Sequence, residues 1–190
     1  MSRWPLGDGA ELRILEPGDA EDLFAMVGRN RDRLGEYLPW VHTTQAVPDV
    51  AAFLASAQAQ HAAGLGFHAA ITLSGRVAGC AGMHPIDQVH RNVALGYWID
   101  RDFQGQGLVT RATAELVRLC FEDYRLRRVE IRCAVDNRRS CAVPLRLGFR
   151  QEGLLRQAQL VNGRWLDLLV FGKLAGDAPD TQMLRSAAGR

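Results

Sequence analysis

The chain has 190 residues, 47% of them apolar and 23% charged, with a formal net charge of +2. Those proportions suit a globular chain with a substantial core and exclude a disordered or collagen-like one. The small net charge argues against a tail that grips nucleic acid, and the lack of any run of about 18 apolar residues excludes a membrane-spanning helix.

Met1-Ser2-Arg3-Trp4-Pro5 has no apolar core of a signal peptide, so the expected compartment is the cytoplasm. Cys80, Cys120, Cys133 and Cys141 form no C-x-x-C pair, and no His spacing completes a zinc pattern. They read as reduced, buried thiols, and no metal is expected.

Ala10 to Leu15 alternates Leu12 and Ile14 with Glu11 and Arg13 and reads as a short strand. Pro17-Gly18-Asp19 breaks it, with Asp19 placed to N-cap a helix whose apolar face is Leu23, Phe24, Met26 and Val27. Gly28 is the expected end of that helix. A second short helix over 31–37 stops at Leu38-Pro39-Trp40. A third, Ala-rich, covers 48–63, with Val50, Phe53, Leu54 and Ala57 at helical spacing and Asp49 in its first turn. Gly64 and Gly66 follow it. Runs 67–73 and 76–83 are strands joined by Ser74-Gly75, a hairpin signal, and 93–99 is a third. The middle of the chain is thus an antiparallel meander.

The pattern then changes at Gln104-Gly105-Gln106-Gly107-Leu108-Val109-Thr110, which opens a helix over 108–124. Two glycines one residue apart let the backbone turn tightly. A helix starting there aims unpaired N–H groups and the positive end of its dipole at one point. The stretch is therefore either a plain tight turn or an anion cradle suited to phosphate. A strand over 129–134, a helix over 138–147 closed by Gly148, and strands 149–159 and 165–173 around Asn162-Gly163 follow. The expected architecture is a mixed α/β sheet with helices on both faces. Residues 1–175 form one expected domain and 176–190 a polar tail.

Three stretches together resemble the GNAT acetyltransferases, and within them the RimJ/RimL branch that acetylates ribosomal-protein N-termini. Gly96-Tyr97-Trp98-Ile99 running into Phe103-Gln104-Gly105-Gln106-Gly107 is similar to the family's fourth strand and pyrophosphate loop. Asn137-Arg138-Arg139-Ser140, followed by Leu147-Gly148-Phe149, is similar to its Asn-x-x-Ser helix start and Gly-Phe close. Glu152 to Arg156 with Asn162-Gly163-Arg164-Trp165 and Asp167 is similar to its final hairpin. Two positions depart from the pattern. Val109 stands where the family has Gly or Ala, and Gln159 stands where the RimL branch carries a Glu proposed as general base. Gln takes up no proton at neutral pH.

The resemblance implies the GNAT fold, a mostly antiparallel twisted sheet with a splayed central strand pair. It implies acetyl-CoA as donor, held by Trp98 and Ile99 on the strand, by Gln104, Gly105, Gln106, Gly107, Leu108, Val109 and Thr110 in the loop, and by Asn137 and Ser140. Ser140 and Gln159 occupy the catalytic positions, Ser140 as proton donor to the departing thiolate. Asn137 also reads as a plain N-cap and Ser140 as an exposed helix serine. His68 and His84 on the meander are alternative bases. Asp167 reads as a hydrogen-bonded hairpin residue. Arg138 or Arg139 reads as a contact for the 3′-phosphate, a solvated face or a docking site for an acidic protein. Trp40 reads as a half-buried aromatic that also lines the acceptor side. The implied acceptor is a primary amine, foremost a protein N-terminus. The alternatives are acetyl or succinyl transfer to a small-molecule amine and a non-catalytic acyl-CoA-binding module. No nucleic-acid or membrane partner is expected, and the final hairpin's edge fits a homodimer.

Overall fold

The computed structural model describes residues 2–177. One sheet runs through them, built from β1 (Arg3–Gly7), β2 (Ala10–Ile14), β3 (His68–Leu73), β4 (Arg76–Met83), β5 (Asn92–Ile99), β6 (Arg128–Ala134), β7 (Arg150–Val161) and β8 (Arg164–Leu174). Their order is β1-β2-β3-β4-β5-β6-β8-β7, and the β5–β6 pair alone is parallel among these neighbours. The helices are α1 (Ala20–Arg29), α2 (Arg31–Gly35), α3 (Trp40–Thr43), α4 (Val47–Ala62), α5 (Leu108–Glu122) and α6 (Arg138–Arg146).

The apolar spacing decides where each helix lies. Leu108, Ala112, Leu116, Leu119 and Cys120 form one stripe of α5, buried against Leu12, Ile71, Val93, Leu95 and Ile131 of the sheet. Each such leucine contributes about 1.5–3 kcal/mol on burial. On the other face Leu23 of α1 and Val50 and Leu54 of α4 close over Leu15, Ala70 and Cys80. Helices therefore cover both faces, as expected, and the meander holds.

The structure revises several local expectations. Asp19 does not cap α1 with its side chain. Its carboxylate accepts from Arg13 at 2.6 and 2.8 Å and reaches back to the Glu16 N–H. The ion-pair geometry on Arg13 wins over the local cap. Gly28 lies inside α1, which runs to Arg29, because Asn30 is buried there and donates to the Met26 carbonyl. The second helix does stop before Leu38-Pro39-Trp40, ending at Gly35, and Trp40 then starts the unforeseen α3, since Pro39 suits a helix entry. Strand β1 was not foreseen. Pro5 argues against a strand except at a sheet edge, which is where β1 sits. Trp4 fixes it by stacking on Phe67, with ring centroids 4.9 Å apart. Of the expected tail, residues 178–190 lie outside the described residues.

Candidate active site

The ladder between β5 and β6 runs from Asn92↔Arg128 to Leu95↔Ile131 and stops. Beyond it β5 continues to Ile99 on β4, while β6 continues to Ala134 on β8. The two strands thus splay into a V. The Asp100 N–H donates to Ala78 and the Ala94 carbonyl accepts from His84. Even-numbered residues of β5 therefore turn their backbone groups to β4, and the odd-numbered Tyr97 and Ile99 turn theirs into the V. Arg33 on α2 donates to the Ile99 carbonyl. The edge leaves N–H groups for an extended, amide-bearing chain to pair with.

At the mouth of the V the chain makes a 3-10 turn (Arg101–Phe103) and enters the glycine loop. Gly105 and Gly107 have φ of +79° and +71°, the left-handed region that favours glycine. A Cβ on either would meet nothing within 4 Å, so the space above them is open. Gly107 is the N-cap of α5 and offers no side-chain cap, so first-turn N–H groups of Leu108, Val109 and Thr110 point to that space. The Leu108 side chain is buried, leaving its backbone for any ligand. Val109 packs its side chain against the core, which removes it from the loop's open side.

Positive charge surrounds this mouth. Arg139 donates to the Gln104 side chain at 2.7 Å. Arg33 has its pKa lowered by burial and by the charges of Arg101 and Arg139. Its buried Nε has no protein partner. The same corner is pinned by Asp100, which is wholly buried and accepts from Asn30 at 2.9 Å and Arg29 at 2.7 Å. Burial pulls the Asp100 carboxyl upward, yet the bonds from Asn30 and Arg29 hold it below its ordinary value. An anionic group at the loop and an extended amide-bearing arm along the edge fit these donors.

Across the V, Asn137 accepts the Ser140 N–H on Oδ1 at 3.1 Å and so caps α6. Its amide nitrogen remains a donor. Pro144 sits inside α6 and has no N–H for the carbonyl four residues back, that of Ser140. That carbonyl instead accepts the Tyr97 hydroxyl at 2.9 Å. The Ser140 hydroxyl lies 3.2 Å from the Cys133 sulfur and 3.4 Å from the Tyr97 oxygen. Burial, then Cys133, raises the Tyr97 pKa, so the phenol stays protonated. Burial likewise raises the Cys133 thiol.

Of the remaining expected residues, Trp98 and Gln159 lie on the opposite face. The Trp98 backbone is turned to β4, and its ring packs on Val27, Leu34 and Val41, 5.9 Å from the ring of Trp40. Gln159 donates to the Tyr37 carbonyl at 2.6 Å and ties the last hairpin to the α2–α3 segment. Asp167 accepts the Gln157 N–H at 2.7 Å, in a stretch of β7 where the register shifts, as its hairpin reading expected. Sequence reasoning missed Arg33 and the Tyr97 hydroxyl. Arg33 reaches a carbonyl 66 residues away and left no local signal. The signal for Tyr97 was Pro144, whose missing N–H called for an outside donor.

Residues 10–150 match the family described as Acetyltransferase (GNAT) domain. YdaF of Bacillus subtilis (strain 168), named provisionally as a ribosomal N-acetyltransferase, is 36% identical over 164 residues, 86% of this chain and 90% of YdaF. A solved RimL, the ribosomal L7/L12 alpha-N-protein acetyltransferase in complex with coenzyme A, superposes with a TM-score of 0.88 at 26% identity, covering 91% of this chain and 98% of RimL. The microcin C7 self-immunity acetyltransferase MccE, solved with acetyl-CoA and AMP, gives 0.84 at 27% identity over 89% of this chain and 94% of its own.

Proposed function

We propose that this chain, which belongs to the GNAT acetyltransferase family, acetylates the α-amine of a protein N-terminus. It is an acetyl-CoA-dependent N-acetyltransferase. The observation that carries the acceptor reading is Gln159, whose amide is occupied by Tyr37 and takes up no proton. An amine attacks only when neutral. An α-amine with a pKa of about 7.7–8.0 is roughly a tenth neutral at pH 7, whereas a Lys amine at about 10.4 is under a thousandth neutral. A site with no carboxylate base at that hairpin position suits the α-amine. The similarity to RimL, whose substrate is the α-amine of L7/L12, supports the same choice.

In this reading the N–H groups of Leu108, Val109 and Thr110 and the glycine loop from Gln104 hold the pyrophosphate, with Arg139, Arg33 and Arg101 adding charge. The N–H groups of Tyr97 and Ile99 and the amide of Asn137 hold the pantetheine arm. When bound, acetyl-CoA supplies an acetyl thioester whose carbonyl oxygen gains negative charge during attack. An N–H of β5 stabilises that charge. The Ser140 hydroxyl protonates the leaving sulfur and is oriented by Tyr97 and Cys133, while Asn137 holds the Ser140 backbone. The aromatic Trp40 and Trp98 line the acceptor side.

Residues 1–175 act in this reading as one domain, supported by the single continuous sheet. A cytoplasmic setting is supported by the four buried, free thiols. A homodimer is supported by edge strand β7, where Leu154, Leu155 and Leu160 are exposed beside Trp165. The test is acetyl transfer to peptides starting with Ser, Ala or Met against spermidine, read by mass spectrometry. Acetylation at the peptide α-amine is the expected result. Turnover of spermidine alone would overturn the α-amine acceptor.

A further inference from the structure

With Gln159 unable to ionise, the amine's proton needs another destination, and the sheet face opposite α5 offers one. Gly82 and Gly96 are cross-strand partners of β4 and β5, so that face is bare of side chains between them. His68 pairs with Gly82, and its ring lies so close that a Cβ on Gly82 would meet Nδ1 at 2.5 Å. His84 is anchored by its N–H on Ala94, and its Nε2 would lie 3.4 Å from a Cβ on Gly96. Gly96 is the first residue of β5 past the last ladder pair, and its neighbour Tyr97 faces the V. His84 therefore stands at the vertex of the V. The opposite face is closed by α5 and by Tyr97, Ser140 and Cys133. An amine must approach from the side of His84. The imidazole hydrogen bonds to protein among the described residues belong to His42 and His90, which leaves both ring nitrogens of His84 free.

We propose that His84 is the proton acceptor of the acetyl transfer, an inference that rests on the amine-acylation reading above. The amine nitrogen bonds to the acyl carbon as the carbon–sulfur bond breaks. The amine's proton goes to Nε2 of neutral His84, and the sulfur keeps the bonding pair and takes a proton from water through the Ser140 hydroxyl. His84 then yields its proton to solvent through its exposed side. The titratable and charged groups that face it are His68 from β3 and Arg132 with its partner Glu130 from β6. Protein packed around His84, and then the Arg132 charge, lower its pKa. It is therefore neutral, and able to accept, at pH 7.

The test compares wild type with His84→Gln, with His68→Gln as control, on whichever amine the wild type acetylates. At pH 7, kcat/KM is expected to fall by about 10²-fold or more in His84→Gln, since general-base catalysis is worth about that much. In wild type the slope of log kcat/KM against pH steepens from one toward two below the His84 pKa, because amine and imidazole must both be neutral. In His84→Gln the slope stays at one, and free imidazole restores activity to His84→Ala. Wild-type rate and slope in His84→Gln would overturn the proposal, whatever the acceptor proves to be. An independent readout needs no turnover. The His84 imidazole resonance, assigned by its loss in His84→Gln, is expected to shift on addition of acetyl-CoA while that of His90 stays. An unmoved His84 resonance in a titration that saturates acetyl-CoA binding would also overturn it.

Discussion

Pro144 is a residue whose effect is felt on another element. By withholding an N–H it frees the Ser140 carbonyl for Tyr97, and so joins α6 to β5. Asn137 and Ser140 were legible in the sequence because their relation is local, three residues apart on one helix turn. Arg33 and the Asn30–Asp100 pair were not, because their partners lie 66 and 70 residues away and only the closed fold brings them together. His68 carries a prediction at this scale. Burial, and then the charge of His84, lower its pKa to about 4, against 6.5 ordinarily. The unfolded chain thus binds the proton more readily, and the stability tied to neutral His68 is complete above pH 6.5. It is lost as pH falls toward 4, by about 3 kcal/mol in all. Urea denaturation at pH 7 and pH 4.5 is expected to show a smaller acid loss in His68→Gln than in wild type. Equal losses would contradict the assignment.

At the scale of elements, the helices and hairpins were legible where apolar spacing and turn residues agreed. Ser74-Gly75 and Asn162-Gly163 both form the turns they signalled, with positive φ at all four residues. The boundaries failed where tertiary contacts outweighed local signals, as at Gly28 and Asp19. The splay itself was foreseen only through the family resemblance, since nothing in β5 or β6 marks where a ladder stops. The glycine loop separates folding from binding. Gly107→Val puts a side chain at φ +71° in open space, so the penalty is backbone strain of about 1–2 kcal/mol and not a clash. The fold is expected to survive while the branched side chain blocks approach to the N–H groups of α5. Calorimetric titration with coenzyme A is expected to show affinity reduced at least about tenfold, a loss of about 1.4 kcal/mol. Unchanged affinity would remove the loop from the donor site.

For the whole molecule, sheet neighbours are mostly sequence neighbours, which made the meander readable. The exchange of β7 and β8 was not, because hairpin signals give pairing without saying which strand lies inside. That order leaves β7 at the edge with its leucines outward. In the proposed homodimer, Leu154→Glu sets a charge on this edge, and light scattering after gel filtration is expected to report a monomer of about 21.0 kDa. A dimer unchanged by Leu154→Glu and by Leu160→Glu would move the interface elsewhere.

The four ladder pairs between β5 and β6 divide the sheet into an N-terminal and a C-terminal half, each held internally by complete hairpins. Beyond that short seam the halves are joined by α5, which packs on both strands, and by a few side-chain contacts. The polar contacts that span the V include Tyr97 to Ser140, Gln104 to Arg139, Tyr37 to Gln159 and Arg164 to the Glu36 carbonyl. The first two join segments of the proposed donor site, and the last two join segments on the acceptor side. Donor grip and acceptor access thus share one geometry, held by the apolar stripe of α5 across β5 and β6 together with these polar contacts.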